Sequence, residues 1–140
     1  MAKAARLAGY SGTPLAKKLG ARDGTHLLAL GAPADYARLL APLPAGVVFE
    51  KALSQATGVV HFFARSRRAL AAELGPCRKA MRPDAALWVS WPKMAAKVPT
   101  DLTEDAIREL ALPIGLVDII VCAVSDVWSG LKLVIRKALR

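Results

Sequence analysis

Charged, aromatic or glycine residues lie next to the ends of apolar runs at five places in this sequence. They are Gly31 after residues 25–30, Glu50 after residues 47–49, Arg65 after residues 59–64, Trp91 and Lys93 after residues 85–90, and Trp128 before residues 131–137. Arginine and lysine bind anionic groups, glutamate accepts hydrogen bonds from ribose hydroxyls, and tryptophan offers a flat apolar ring. These residue types predict a ligand-binding site at the ends of strands.

The apolar runs alternate with helical segments, and this pattern predicts one α/β sheet. Helices are predicted over residues 13–20, 33–40, 66–81 and 101–110, with Thr13, Ser66 and Asp101 as caps. Gly75 and Pro76 predict a kink or a break in the third helix. Alternation of strand and helix implies a mostly parallel sheet, and the turn at residues 125–130 predicts a closing C-terminal antiparallel hairpin. We expect a single domain over residues 10–140, preceded by a flexible basic tail of residues 1–9.

In an open α/β sheet, ligands bind outside the carboxyl ends of the parallel strands. The first helix leads back to the base of the first strand, so its N-terminal cap is expected at the same rim. The predicted ligand-binding residues are Tyr10, Ser11, Thr13, Gly31, Glu50, Arg65, Trp91, Lys93 and Trp128.

Each of these residues also has a structural interpretation. The two indole rings are expected to plug the end of the sheet unless they stack on a ligand, since aromatic rings bury a large area. The two basic side chains are otherwise solvated surface charges, and Ser11 and Thr13 are otherwise local caps or turn formers. Glu50 is placed to accept ribose hydroxyls, as acids at strand ends do in dinucleotide-binding folds.

No catalytic set emerges from the motifs. Ser90 and Lys93 match a Ser-x-x-Lys string, but the serine ends a strand and Pro92 intervenes, whereas that chemistry needs both groups one helical turn apart. His26 and His61 lie in core strands without an evident carboxylate or cysteine partner. We therefore expect no catalytic residues and lean against an enzymatic function.

Metal chemistry and secretion are not predicted either. Two cysteines, Cys77 and Cys122, cannot form a zinc site of paired knuckles and indicate a reducing, cytoplasmic location. The most apolar run has 11 residues from Ile114 to Val124 with Asp118 inside it, which is too short to cross a bilayer. No membrane association and no metal are expected.

The net charge of +9 is unevenly distributed along the chain. Residues 65–97 are strongly basic and residues 98–126 are acidic. The basic segment owes much of its charge to one predicted helix, with Arg67, Arg68, Arg78, Lys79 and Arg82. Clustered basic residues suit nucleic-acid phosphates, but a solvated helix face is the favoured explanation. Alternatively, the basic and acidic faces meet in a homodimer, so the partner stays open.

Four blocks of the sequence resemble a bacterial family of small uncharacterised proteins, a domain of unknown function. They are the opening signature at residues 9–20 with Tyr-Ser-Gly-Thr-Pro-Leu, residues 87–93, residues 100–105, and residues 115–118 together with 128–131. The resemblance spans residues 9–137 and carries no established activity. It implies no catalytic residues, and together with the absence of a catalytic set this leads us to expect a non-catalytic binding or regulatory module.

The order of predicted elements is similar to a shortened class I methyltransferase core, a Rossmann-like three-layer sandwich. The missing portion corresponds to the stretch between the second and fourth strands of that core. The loop after the first strand holds one glycine, Gly31, instead of a glycine-rich motif, and Pro33 removes a backbone donor. On this ground no cofactor is expected. The alternative is an S-adenosylmethionine-dependent methyltransferase or adenosyl-ligand binder, in which Glu50 matches the family's ribose-binding acid.

Overall fold

The computed structural model describes residues 13–140, which fold around one six-stranded sheet. The strands are β1 (His26–Leu30), β2 (Val48–Phe49), β3 (Thr57–Phe63), β4 (Ala86–Pro92), β5 (Leu116–Ala123) and β6 (Trp128–Ile135). The α-helices are α1 (Leu15–Leu19), α2 (Tyr36–Leu40), α3 (Arg67–Ala80) and α4 (Glu104–Ala111). Short 3-10 helices occur at Met94–Ala96, Leu112–Ile114 and Lys137–Leu139. No helix within the described range is both long and apolar enough to span a membrane.

The strands lie in the order β2-β1-β3-β4-β6-β5. Strands β1 to β4 are mutually parallel, and β6 runs antiparallel to both of its neighbours, β4 and β5. A chain that alternates strand and helix can return each strand in the same direction, whereas a short hairpin must reverse it. The predicted α/β architecture with a closing antiparallel hairpin is confirmed.

Two apolar cores fill the space on either side of the sheet. Helices α3 and α4 cover one face through Leu70, Leu74 and Ile107. Helices α1 and α2 cover the other face through residues that include Leu15 and Leu40. The three layers follow from the alternation of side chains along each strand, which sends neighbouring residues to opposite cores.

Several element boundaries differ from the sequence-based predictions. Strand β4 continues to Pro92 and β6 begins at Trp128, because residues of the predicted loop after β4 pair with residues of the predicted turn, Trp91 with Ser129 and Pro92 with Trp128. Helix α3 is not broken at Pro76. Gly75 has no Cβ to meet the proline ring, so the residue before the proline can stay helical.

Of the three helix caps predicted from residue type, one is present in the structure and two are not. Ser66 caps α3, with its Oγ accepting from the Ala69 N–H at 3.1 Å, as predicted. The predicted cap at Thr13 is wrong, because α1 begins after Pro14 and has no side-chain cap. The cap of α4 is Thr103 and not Asp101, because Asp101 Oδ1 instead accepts from the Arg67 N–H at 2.8 Å.

Strand β5 forms one edge of the sheet and carries an exposed apolar stretch. Ile119, Ile120 and Val121 are 57%, 50% and 44% exposed. The pairing with β6 shifts register between Asp118 and Ile120, so the chain bulges at Ile119. The two arms of the hairpin are therefore not a continuous regular ladder.

We predict that Gly130→Ala lowers the free energy of unfolding by about 1–3 kcal/mol, the usual cost of overpacking. An alanine Cβ at this position would lie 2.9 Å from Val124 Cγ2 and 3.3 Å from Trp88 Cε3 in the buried core. The matched control is Ser129→Ala, the neighbouring and half-buried position on β6. Urea denaturation of both variants checks this, and equal stabilities would contradict the packing argument.

Candidate functional site

The chain direction reverses across the sheet between β1 and β3, and this creates a crevice at their carboxyl ends. From β1 the chain passes through α2 to β2 on one side, and from β3 it passes through α3 to β4 on the other side. Helices α2 and α3 pack on opposite faces of the sheet. The loop after β1 therefore leads to one face of the sheet and the loop after β3 leads to the other face. Open α/β sheets bind ligands at this position.

Gly31 lies at this crevice in a conformation that suits glycine. Its φ is +69°, in the left-handed region, and a Cβ built on it would lie 2.9 Å from the Phe63 carbonyl oxygen. The turn after β1 therefore passes directly over the end of β3. A side chain at this position would clash with the Phe63 carbonyl and strain the backbone.

Arg65 and Trp128 meet on the far side of the crevice. The Arg65 guanidinium carbon lies 5.0 Å from the centre of the Trp128 ring, a cation–π contact. The Trp128 ring also packs edge-on against Phe63, with 5.0 Å between ring centres. Because Trp128 is only 4% exposed, its indole is part of the core beneath the crevice.

Lys93 connects the end of β4 to the hairpin turn through a backbone hydrogen bond. Its backbone N–H donates to the Val127 carbonyl at 2.7 Å. Within the turn, Ser125 Oγ accepts from the N–H groups of Val127 and Trp128 at 3.1 and 3.2 Å. The structure thus brings Gly31, Arg65, Lys93 and Trp128 to one edge of the sheet.

Two further predicted rim residues, Trp91 and Thr13, lie among the residues that the structure describes. Trp91 is 7% exposed and packs in the core under α3 and α4, whereas Trp128 lies in the opposite core. Thr13 precedes α1 and is partly exposed. Tyr10 and Ser11 lie outside the described residues. A role in ligand binding stays a prediction for all of these residues.

Glu50 is not brought to the rim. Its carboxylate accepts hydrogen bonds from Ser54 Oγ at 3.0 Å and from Thr57 Oγ1, and one oxygen lies 3.5 Å from His26 Nδ1. Thr57 and His26 begin their strands, and Gly31 follows five residues after His26, about 16 Å along the strand. The strand before Glu50 has only two residues and pairs with the start of β1, which explains the displacement.

The hydrogen bond from Thr57, supported by Ser54 and His26, lowers the pKa of Glu50. The group is therefore ionised at neutral pH. Its carboxylate holds the connection between β2 and β3 against the amino end of the sheet.

His61 has two partners that the sequence did not reveal. The Tyr36 hydroxyl lies 2.8 Å from His61 Nδ1, and the Ser90 hydroxyl lies 2.7 Å from Nε2. Each hydroxyl can donate or accept, so both ring nitrogens are satisfied with either tautomer. The sequence places His61 within a predicted core strand, and a buried polar side chain requires a hydrogen-bond partner, but the sequence does not show which residue that partner is.

This serine–histidine–tyrosine arrangement has the spacing of a nucleophile, its base and an orienting group, but it is closed to solvent. Ser90 and His61 are 0% exposed and Tyr36 is 8% exposed. Burial lowers the pKa of His61 to about 3 and raises that of Tyr36, so both groups are neutral near pH 7. No substrate can reach the serine in this conformation, so the network is structural.

The basic helix and the acidic segment contact each other within the chain. Arg67 pairs with Glu109 at 2.9 Å, and the Arg78 Nε–H donates to the Ile114 carbonyl at 3.0 Å. Basic residues of the segment 65–97 and acidic residues of the segment 98–126 are therefore partly paired with each other within the chain. The homodimer and the nucleic-acid partner stay predictions.

Several solved structures share this fold. A SAM-dependent methyltransferase from Aquifex aeolicus matches with a TM-score of 0.59 and 12% identity, over 92% of this chain and 92% of that one. Fibrillarin from Aeropyrum pernix, with natively bound S-adenosyl-L-methionine, matches with a TM-score of 0.56 and 13% identity, over 94% and 73%. LepI C52A in complex with SAH and a substrate analogue has a TM-score of 0.59 and 13% identity, over 89% of this chain and 47% of LepI.

These similarities establish the fold, because the sequence identities are too low to show more. The chain spans about half the length of LepI. No protein-family model and no curated protein match the sequence. The predicted resemblance to a methyltransferase-like architecture is confirmed.

The expectation that no cofactor is bound is contradicted by these structures. Fibrillarin holds SAM and LepI holds SAH in the same fold. The expectation rested on counting glycines after β1, whereas the fold itself forms the crevice by parting the loops after β1 and β3.

We predict that the stability of the chain falls as pH decreases from about 6.5, because His61 stays neutral when folded while the histidine of the unfolded chain takes up a proton. The folded-state pKa of about 3 is below the unfolded value, so stability is complete above pH 6.5 and is lost towards pH 3. The expected loss from His61 is about 2 kcal/mol between pH 7.5 and 5.

Urea denaturation at pH 7.5 and 5.0 measures this loss, in a range where carboxylates contribute little. His61→Gln should flatten the pH dependence, whereas Tyr36→Phe should lower stability at both pH values and keep the slope. A His61→Gln slope equal to that of the original chain would show that another group titrates.

Proposed function

We propose that this chain binds an adenosyl ligand, SAM or SAH, in the crevice between the loops after β1 and β3. The observation that carries the proposal is the Gly31 turn, which lies against the Phe63 carbonyl at the point where the chain direction reverses. Support comes from SAM- and SAH-bound proteins with the same fold. Bound SAM would supply an activated methyl group.

The residues around the crevice fit an adenosyl ligand in part. The left-handed Gly31 lets the backbone approach a ligand closely, as glycines after the first strand do in nucleotide-binding α/β folds. Arg65 is exposed beside the crevice and could contact a carboxylate, such as that of the methionyl group. Glu50 lies too far along the strand to contact a ribose here, so the proposal does not use it.

The crevice supports binding more directly than it supports methyl transfer. Among residues 13–140, the arrangement that resembles a nucleophile and base is the buried network of Ser90, His61 and Tyr36, which a methyl acceptor cannot reach. A binding or regulatory module that uses an adenosyl ligand therefore agrees with the side chains present. Methyltransferase activity stays the alternative prediction. Membership of the bacterial family of uncharacterised proteins and a cytoplasmic location stay predictions as well.

The proposal predicts SAH binding that depends on the Gly31 turn. Isothermal titration calorimetry should detect binding to the original chain, and Gly31→Ala should weaken it about tenfold or more, because the Cβ meets the Phe63 carbonyl. Gly24→Ala is the matched control: its φ is +85°, it bears the same kind of strain, and its Cβ meets nothing within 4 Å.

Amide chemical shifts identify the position of the ligand independently of the variants. SAH should shift the amide signals of Gly31, Ala32 and Ala34 and of residues 64–66 in the original chain. No detectable binding, or shifts confined to other parts of the sheet, would overturn the proposal. Thermal melts of both variants ensure that a loss of binding is not a loss of fold.

A further inference from the structure

A second cleft lies at the opposite edge of the sheet, where the parallel strands begin. Its volume is about 590 Å³, within the range typical of small-ligand sites. It is lined by the turn before β1, the starts of β3 and β4, and a residue of β6. The proposed adenosyl site lies at the carboxyl ends of β1 and β3, whereas this cleft lies at the amino ends of the strands, so the two sites are separate.

Three cationic side chains from separate segments line this cleft. They are Arg22 from the turn before β1, Arg82 from the turn before β4, and Lys132 from β6. Asp84 is the one acidic residue in the lining, so the cleft has two positive charges in surplus. Three segments that are distant in sequence converge here.

Arg82 is held rigidly at the wall of the cleft. Its Nη1 donates to the Ala56 carbonyl at 3.1 Å, and its Nε lies 2.8 Å from Asp84 Oδ1. The other terminal nitrogen, Nη2, lies 3.1 Å from where a Cβ on Gly58 would be. The glycine therefore makes room for the guanidinium, and the two contacts orient it with one terminal nitrogen left for another acceptor.

Arg22 and Lys132 add charge without internal compensation. Within the described part of the chain, neither side chain makes an ion pair or a hydrogen bond. Lys132 is half-buried on the face that α1 covers, next to the cleft. An anion in the cleft would be attracted by both charges.

We infer that this cleft binds the phosphate group of a small phosphorylated molecule. A phosphomonoester has nearly two negative charges near pH 7, which matches the surplus of the lining. Its three terminal oxygens can accept from the oriented guanidinium and from two mobile cations together. The volume exceeds that of a bare phosphate, so the organic part of the molecule fits in the same cleft.

The test compares two double variants that remove the same charge. Arg22→Gln with Lys132→Gln alters the cleft, and Arg68→Gln with Lys79→Gln alters two exposed residues of α3. The probes are inorganic phosphate and ribose 5-phosphate at constant ionic strength, followed by amide chemical shifts and calorimetry. Neither probe contains adenine, so failure here leaves the adenosyl proposal untouched.

Ribose 5-phosphate should bind more tightly than phosphate and shift amides of residues 22–26 and 56–58. The cleft variant should weaken both affinities about tenfold or more, and the α3 variant should change them less than about twofold. Binding of phosphate alone, with no gain from the sugar, would limit the site to a free anion and overturn the phosphorylated ligand. Equal losses in both variants, or no binding, would overturn the site itself.

Discussion

Strand β3 must bury the His61 ring at the centre of the sheet, and the surrounding elements are arranged to meet this constraint. A buried ring nitrogen without a partner costs about 1–3 kcal/mol. Tyr36 from α2 and Ser90 from β4 supply the two partners. The ring also stacks on Phe63, with 4.2 Å between ring centres. The Tyr36 contact thus fixes α2 relative to β3, where apolar packing alone would permit sliding. The Ser90 contact adds to the backbone ladder that already joins β4 to β3.

The same strand sets the geometry of both edges of the sheet. At its carboxyl end, the Phe63 carbonyl lies against the Gly31 turn, and at its amino end Gly58 accommodates the Arg82 guanidinium. The contact at Gly31 needs a residue without a Cβ, whereas a Cβ at Gly58 would require the guanidinium to move by a few tenths of an ångström. The two edges are separated by the length of β3, about 20 Å for its seven residues. Ligands at the two edges would not touch.

Local features were predictable from the sequence, and contacts across the sheet were not. The Ser66 cap, the strand alternation and the closing hairpin follow from neighbouring residues. The placement of Glu50 was missed because it depends on β2 pairing with only the first residues of β1, a register that no local pattern reveals. The cleft with Arg22, Arg82 and Lys132 was not predicted from the sequence, because it is formed by three segments that are distant in sequence and meet only in the folded chain.

The bulge at Ile119 has a consequence for the behaviour of the chain in concentrated solution. An exposed apolar edge strand is a template on which another strand can add, and repeated addition leads to aggregation. Strand β5 has eight residues and an exposed apolar centre, but its register shift breaks the row of free backbone groups into two shorter stretches. The bulge therefore disfavours the addition of another strand at an edge whose apolar side chains would otherwise favour it.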